Sequence, residues 1–407
     1  MSRISGLSDD LLIKILSYLP TKVAVSTSIL SKQWQFLWMW SPKLEYDEYD
    51  YTRYLQPSLQ DFIDKNLPLH RTPVIESLRF KTIYAYIIPE DIQRWIEIAV
   101  SRHVRELDIS YLSEEENIFP SNFYTCNSLV ILKLEFVTLT DVPSMVCRLP
   151  SLKTLQLEKV VYKGKETLQG LLSICPVLEE LSIHFDDDLE VMEEITIIVP
   201  SLQRLSLSID DFLGLERYVI DTPCLKYFKL EDHNSKGHYC EIKNMPKLRE
   251  AYVDVVFFVL KSVLGSITSV NRLTICAQIR KEGGEDDVYG GGFVFKQLQH
   301  LKLCLCKMDS SNLLGKFLKG SPNLQVLDIS HMKDHGTDNN YRYPVVYWNQ
   351  PSDVPKCLLS CLQIFKWSRY FRRPQDIDIG VYILKNARLL STTTILGDTI
   401  EFGVSKR

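Results

Sequence analysis

Two histidine pairs, His233 with His238 and His331 with His335, have spacings that could seat a metal ion. A structural zinc site needs four ligands, completed by cysteine, histidine or carboxylate at characteristic spacing, and neither pair has such a set nearby. Asp186, Asp187 and Asp188 could face a hard cation, but they follow the strand-like stretch Leu178 to Ile183 and read as a solvated loop. The glycine-rich "EGGEDDVYGGG" has neither a following lysine-serine nor a GxGxxG spacing, so it makes no phosphate cradle and reads as an excursion between ordered segments. No GxSxG elbow, Cys/His pair in a recognised context or paired carboxylates occur. Catalytic residues, metal and cofactor are all expected to be none. The work left to these side chains is recognition.

Composition narrows the partners. The 407 residues are 45% hydrophobic and 24% charged, ordinary for folded protein with more than one core. Formal charge is −4, from 47 basic and 51 acidic residues, so no global basic field holds nucleic acid or an anionic membrane. The start "MSRISGLSDD" lacks an apolar leader, and the longest uncharged apolar run, Val255 to Leu260, is too short to span a bilayer. Ten cysteines without a CxxC pair suit reduced thiols. The expected setting is the cytoplasm and/or the nucleus.

The elements that must position a recognition surface begin at Leu7. In "LSDDLLIKILSYLP", Ser8 or Asp9 caps a helix with Leu11, Leu12, Ile15, Leu16 and Leu19 at helical spacing, ended by Pro20. Thr21 caps a second short helix through Val23 and Val25, and Ser31 a third that places Trp34, Leu37 and Trp38 on one face. Each tryptophan carries roughly 150 to 250 Å² of surface to cover. Forty residues cannot cover all of it alone, so the surplus implies a protein interface, with Trp38 and Trp40 packing against the segment that follows.

The stretch "LSDDLLIKILSYLPTKVAVSTSILSKQWQFLW" resembles an F-box: Leu-Pro-x-x-Leu-Leu, then Ile-Leu-x-x-Leu-Pro, then Ser-x-x-Trp. Ser8 stands where proline is usual, and Gln33 where a basic residue commonly precedes the tryptophan. The resemblance implies docking onto the Skp-family adaptor of a cullin-RING ubiquitin ligase. Carried onto this chain, the adaptor-binding residues are Leu7, Leu11, Leu12, Ile15, Leu16, Leu19, Pro20, Val23, Leu30 and Trp34.

Downstream, a unit of the form apolar, two variable, apolar, one variable, apolar recurs twelve times. The units start at Ile75, Val104, Leu129, Leu152, Leu178, Leu202, Leu225, Leu248, Val270, Leu298, Leu324 and Leu362. In seven, proline stands two residues earlier (Pro73, Pro150, Pro176, Pro200, Pro223, Pro246 and Pro322) and favours extended entry into a strand. Helical periodicity returns at "EDIQRWIEIAV", "ETLQGLLSIC" and "SSNLLGKFLKG". One strand and one return segment per period describe a leucine-rich-repeat solenoid. The residue between the two strand-interior apolar positions is never aliphatic, which gives the parallel sheet a polar concave face. Lys133, Gln156, Arg204, Lys229, Tyr252, Arg272 and Lys302 on that face are the candidate substrate contacts. The asparagine or cysteine ladder of regular repeats is essentially absent, so curvature is expected to be irregular.

"WNQPSDVPKCLLSCLQIFKW" with "VYILKNARLLSTTTI" resembles the FBD region that follows leucine-rich repeats in plant F-box proteins. "QDIDIGVYILKNARLL" reads as a helix with Ile379, Tyr382 and Ile383 on one face. The region is expected to cap the open end of the array, a partner-binding role being the alternative. The expected architecture is thus α/β: an N-terminal three-helix F-box (1–50), a connector (51–70), an irregular leucine-rich-repeat solenoid (71–345) with a parallel sheet on its concave face, and a C-terminal FBD cap (346–407). The resemblance implies a non-catalytic substrate receptor, with an adaptor, through it a cullin and a RING protein, and an unknown protein substrate as partners. The alternatives are a small-molecule-sensing F-box receptor and an adaptor-binding repeat protein without a ligase role. The outward strand positions hold eight basic against nine acidic residues, which disfavours a strongly anionic ligand.

Overall fold

The computed structural model describes residues 6–51, 58–83, 87–112, 117–142, 147–186, 193–210, 215–234, 237–277, 293–305, 310–330, 348 and 350–397. Two compact units divide the chain, Met1–Leu202 with Leu213–Leu215, and Gln203–Phe212 with Glu216–Arg407.

The first unit starts with the helices Asp9–Leu16 and Thr21–Ser26, then a 3-10 turn at Thr27–Ile29 and a 3-10 helix at Trp34–Trp40. The last of these corrects the expected third helix, which starts at Trp34 and is not capped by the Ser31 side chain. Thr21 does not cap the second helix either. Its buried hydroxyl accepts the Glu45 backbone N–H at 2.9 Å and so ties the helical module to the first strand of the sheet.

Six strands follow in parallel, in chain order: Lys43–Asp47, Ser77–Thr82, Glu106–Tyr111, Ile131–Glu135, Thr154–Glu158 and Glu180–Phe185. The sheet begins at Lys43, inside the stretch assigned to the helical module, so its first strand precedes the first recognised repeat. The connector contains a helix, Leu59–Asn66, whose Ser58 hydroxyl accepts the Asp61 N–H at 3.1 Å. Tyr46 stacks on Phe80 at 5.7 Å, and Phe80 meets Trp95 of the helix Pro89–Ser101 at 5.3 Å. The Trp95 indole N–H donates to Asp64 at 2.8 Å, joining the two helices.

The second unit holds eight more parallel strands: Arg204–Ile209, Tyr227–Asp232, Glu250–Val255, Arg272–Ala277, His300–Leu303, Val326–Ile329, Ile364–Tyr370 and Thr392–Gly397. Helices at Phe257–Ser266, Ser310–Gly320 and Pro374–Asn386 return the chain, and elsewhere a small parallel pair, Arg217–Asp221 with Tyr239–Ile242, does so.

Each of the twelve repeat units lies on one strand, and the apolar positions stand in register: Leu78, Leu107, Leu132, Leu155 and Leu181 in the first unit, Leu205, Phe228, Ala251, Leu273, Leu301, Leu327 and Phe365 in the second. None of the units' three apolar positions is more than 4% exposed. Six of the seven prolines do more than favour an extended entry. Pro150, Pro176, Pro200, Pro223, Pro246 and Pro322 occupy the second position of a turn closed by the N–H of the repeat's first leucine, as in Leu225 N–H to Thr222 C=O at 3.1 Å. Ile267 to Val270 and Phe295 to Leu298 make the same turn without proline.

The FBD-like region contributes the last two strands of the second unit's sheet, with the helix Pro374–Asn386 between them. Ile379, Tyr382 and Ile383 are buried as their spacing predicts, and Trp348 packs edge-on against Tyr382 at 5.2 Å. All six residues of Thr392–Gly397 are exposed, and the strand's outer edge pairs with no strand among the described residues.

Candidate functional site

The helical module has a buried apolar cluster. Leu12, Leu16, Ala24, Trp34, Leu37, Trp38 and Met39 are buried together, with Leu7, Ile13, Leu19 and Val25 packed around them. Of the ten residues expected at the adaptor surface, Leu12, Leu16 and Trp34 therefore point inward, at 0, 0 and 6% exposure. They form part of the module's buried cluster. Leu11, Ile15, Val23 and Leu30 stand out in solvent, at 43 to 64% exposure. Leu7, Leu19 and Pro20 are half-buried at the margin.

Three large apolar side chains not expected at this surface, Tyr18, Ile29 and Phe36, are also exposed. For Tyr18 the signal was present, since Leu11, Ile15 and Tyr18 continue at i, i+4 and i+7. Gln33, at the position usually basic, donates its side-chain N–H to the Leu7 carbonyl at 3.2 Å and to Asp9 at 3.0 Å. It fastens the tryptophan segment to the start of the first helix. Trp38 meets His70 edge-on at 5.4 Å, as expected of a joint with the connector, whereas Trp40 is 43% exposed.

The candidate substrate residues all lie at outward strand positions. In the first unit Lys133 and Gln156 are in register, and Lys133 pairs with Glu106 at 2.7 Å. Arg79 reaches Glu45 at 3.3 Å and Asp108 at 3.5 Å. Burial raises the Asp108 pKa, against the pull of Arg79 and Lys133. In the second unit Arg204 lies over the Tyr227 ring at 4.3 Å, and Lys229 pairs with Glu231 at 2.8 Å and sits 5.4 Å over Tyr252. Tyr252, Thr274 and Lys302 follow each other across three strands, with Arg272 one position earlier on the outward side. Burial, and then the Glu231 and Asp254 carboxylates, push the Tyr252 phenol up.

The histidine spacings resolve into two separate pairs. His233 meets Asp254 at 3.1 Å, and the fully buried His238 meets Asp232 at 2.9 Å, where Tyr218 also donates at 3.2 Å. Among the described residues no group of three His, Cys, Asp or Glu side chains could hold a metal. His331, His335, Asp187, Asp188 and the glycine-rich excursion lie outside the described residues. No described helix is long and apolar enough to cross a membrane.

A small helical module with surplus apolar surface, followed by leucine-rich strands, agrees in kind with what the family comparisons find. An F-box domain model matches residues 4–46, a model of the leucine-rich repeats of an FBD-associated F-box protein matches 92–251, and an FBD model matches 350–395. The FBD-associated F-box protein At5g38590 of Arabidopsis thaliana is 60% identical over 407 residues, covering 100% of this chain and 96% of that one. This chain belongs to the plant F-box/leucine-rich-repeat/FBD family. Two further Arabidopsis relatives in this F-box/FBD group are At4g10400, an FBD-associated F-box protein 53% identical over 98% of this chain and 93% of its own, and At5g62970, a putative F-box/FBD/LRR-repeat protein 44% identical over 97% and 93%.

Proposed function

We propose that this F-box/LRR/FBD protein is the substrate-recognition subunit of a Skp-cullin-F-box ubiquitin ligase. Its F-box would grip the Skp-family adaptor and its outward sheet face a protein substrate, for ubiquitination in the cytoplasm and/or the nucleus. One observation carries this reading: the F-box module has a finished interior and yet leaves Leu11, Ile15, Tyr18, Val23, Ile29, Leu30 and Phe36 in solvent. Apolar surface of that kind on one small module marks an interface.

The protein itself performs no bond chemistry in this account. Holding a substrate beside a ubiquitin-loaded enzyme raises the effective concentration of the reacting groups, and that proximity is the catalytic contribution. The boundaries 1–50, 51–70, 71–345 and 346–407, and a terminal capping role for the last of them, belong to the same proposal. Co-purification of the tagged full chain from plant cells tests it. A Skp-family adaptor, cullin and RING protein are expected in the eluate, together with proteins whose abundance rises when the chain is removed. An eluate without the adaptor contradicts the proposal.

A further inference from the structure

Basic side chains on the outward face of the second unit fall into two groups. Arg204 and Lys229 are engaged by Tyr227, Glu231 and Tyr252. Further along, no ion pair among the described residues includes Arg272, His300, Lys302 or Lys366. Strand register gathers these four. Arg272, His300, Val326 and Ile364 stand side by side on neighbouring strands, and two residues further along each strand so do Thr274, Lys302, Asp328 and Lys366. Neighbours in register are about 4.8 Å apart, so the group spans roughly 15 Å.

Asp328 is the one acid among those eight positions. Val326 and Ile364 are only half-buried and give the patch an apolar floor. Past Lys366 the strand bulges between Ser368 and Tyr370, and the exposed Arg369 and Arg372 both hold φ of 58°. Left-handed backbone is uncommon for residues with a Cβ, and it sets two more cations at the same strand end. Burial first, then Arg272, Lys366 and Lys302, hold the His300 imidazole below its usual pKa, with Asp328 opposing. At these eight positions cations outnumber acids although the chain as a whole carries a net charge of −4.

We propose that Arg272, Lys302 and Lys366, set around Val326 and Ile364, dock an acidic peptide segment that carries apolar side chains, supplied by the protein substrate. This names the substrate class within the receptor reading and rests on it. The balance of charge over the whole face speaks against a generally anionic ligand, and the cations without an ion pair among the described residues confine the acidic contact to these four strands. A nucleic acid fits less well: single strands are held by aromatic stacking as well as charge, and none of the eight outward positions is Phe, Tyr or Trp.

The test uses the full chain and a fluorescein-labelled dodecapeptide of glutamate and leucine in equal parts, read by anisotropy. Its comparison probes are the lysine-for-glutamate peptide and a twelve-nucleotide oligo-dT. The acidic peptide is expected to bind, more weakly as salt rises, and K302E/K366E to weaken it by at least about tenfold. Arg79→Glu, far along the chain at a cation already paired, is expected to leave binding unchanged. Lys302→Gln/Lys366→Gln, with a smaller loss, serves if charge reversal disturbs the melting curve. Equal binding of the two peptides, insensitivity to both double variants, or displacement of the acidic peptide by oligo-dT overturns the proposal. Adaptor co-purification from the same preparations separates the two claims. Adaptor bound without peptide binding removes the patch alone, and peptide bound without adaptor removes the ligase reading alone.

Discussion

Leu11 and Leu12 are neighbours in the chain with opposite burial, 50 and 0% exposed, and this is the kind of distinction periodicity blurs. Leu11, Leu12, Ile15, Leu16 and Leu19 make a stripe wider than one helix face needs, and spacing alone groups them. Which half faces inward depends on where the tryptophans of the 3-10 helix lie, and that is tertiary information. Truncating Leu12 to alanine is expected to cost about 2 to 5 kcal/mol, whereas the same change at Leu11 stays within about 0.5 kcal/mol, as urea midpoints of the full chain would show. His70 makes a pH prediction. It is 2% exposed, and burial lowers its pKa to about 4. Unfolded histidine titrates near 6.5, so the unfolded chain takes up the proton first as pH falls. The stability associated with neutral His70 is present in full above about pH 6.5 and is lost progressively toward pH 4, on the order of 3 kcal/mol in all. A urea midpoint that falls over this window in the wild type and less in His70→Phe is expected; an unchanged profile in the variant contradicts the assignment.

At the scale of elements, the twelve repeat strands were legible because each has three apolar positions with no freedom to be exposed. The two end strands of the series were not. Lys43–Asp47 has only Leu44 and Tyr46 to signal it, directly after the tryptophan segment, and Thr392–Gly397 buries none of its six side chains, so it carries no inside-outside pattern. The outer strands Glu194–Ile198, Arg217–Asp221 and Tyr239–Ile242 escaped notice because they fill return segments whose length is irregular. The helix Phe257–Ser266 opens inside the apolar run Val255 to Leu260, and such a run does not distinguish helix from strand. The turn that opens each repeat makes a prediction. Lys296 holds the position that proline occupies in six equivalent turns, so Lys296→Pro is expected to stabilise the second unit by about 0.4 to 1 kcal/mol, through the entropy of the unfolded chain. A lowered melting temperature would show that the Phe295 to Leu298 turn differs from the others.

The molecule as a whole carries two surfaces of different chemistry: an apolar one on the F-box and a polar, locally basic one on the sheet. The family was readable from spaced motifs at the two ends and from the repeat between them. The division of the F-box leucines into buried and exposed was not, and neither was the lack of an ion pair to Arg272, Lys302 or Lys366 among the described residues, because both depend on which side chains the fold brings together. Leu11 and Ile15 separate fold from function most cleanly, since they lie outside the buried cluster of the module. The most direct measurement is calorimetric titration of a purified Skp-family adaptor into the full chain carrying Leu11→Glu and Ile15→Glu, beside the unmodified protein. The account predicts that the melting curve is retained and adaptor affinity falls by roughly a hundredfold or more, the scale of losing two interface anchors. Unchanged affinity in the folded variant would contradict it.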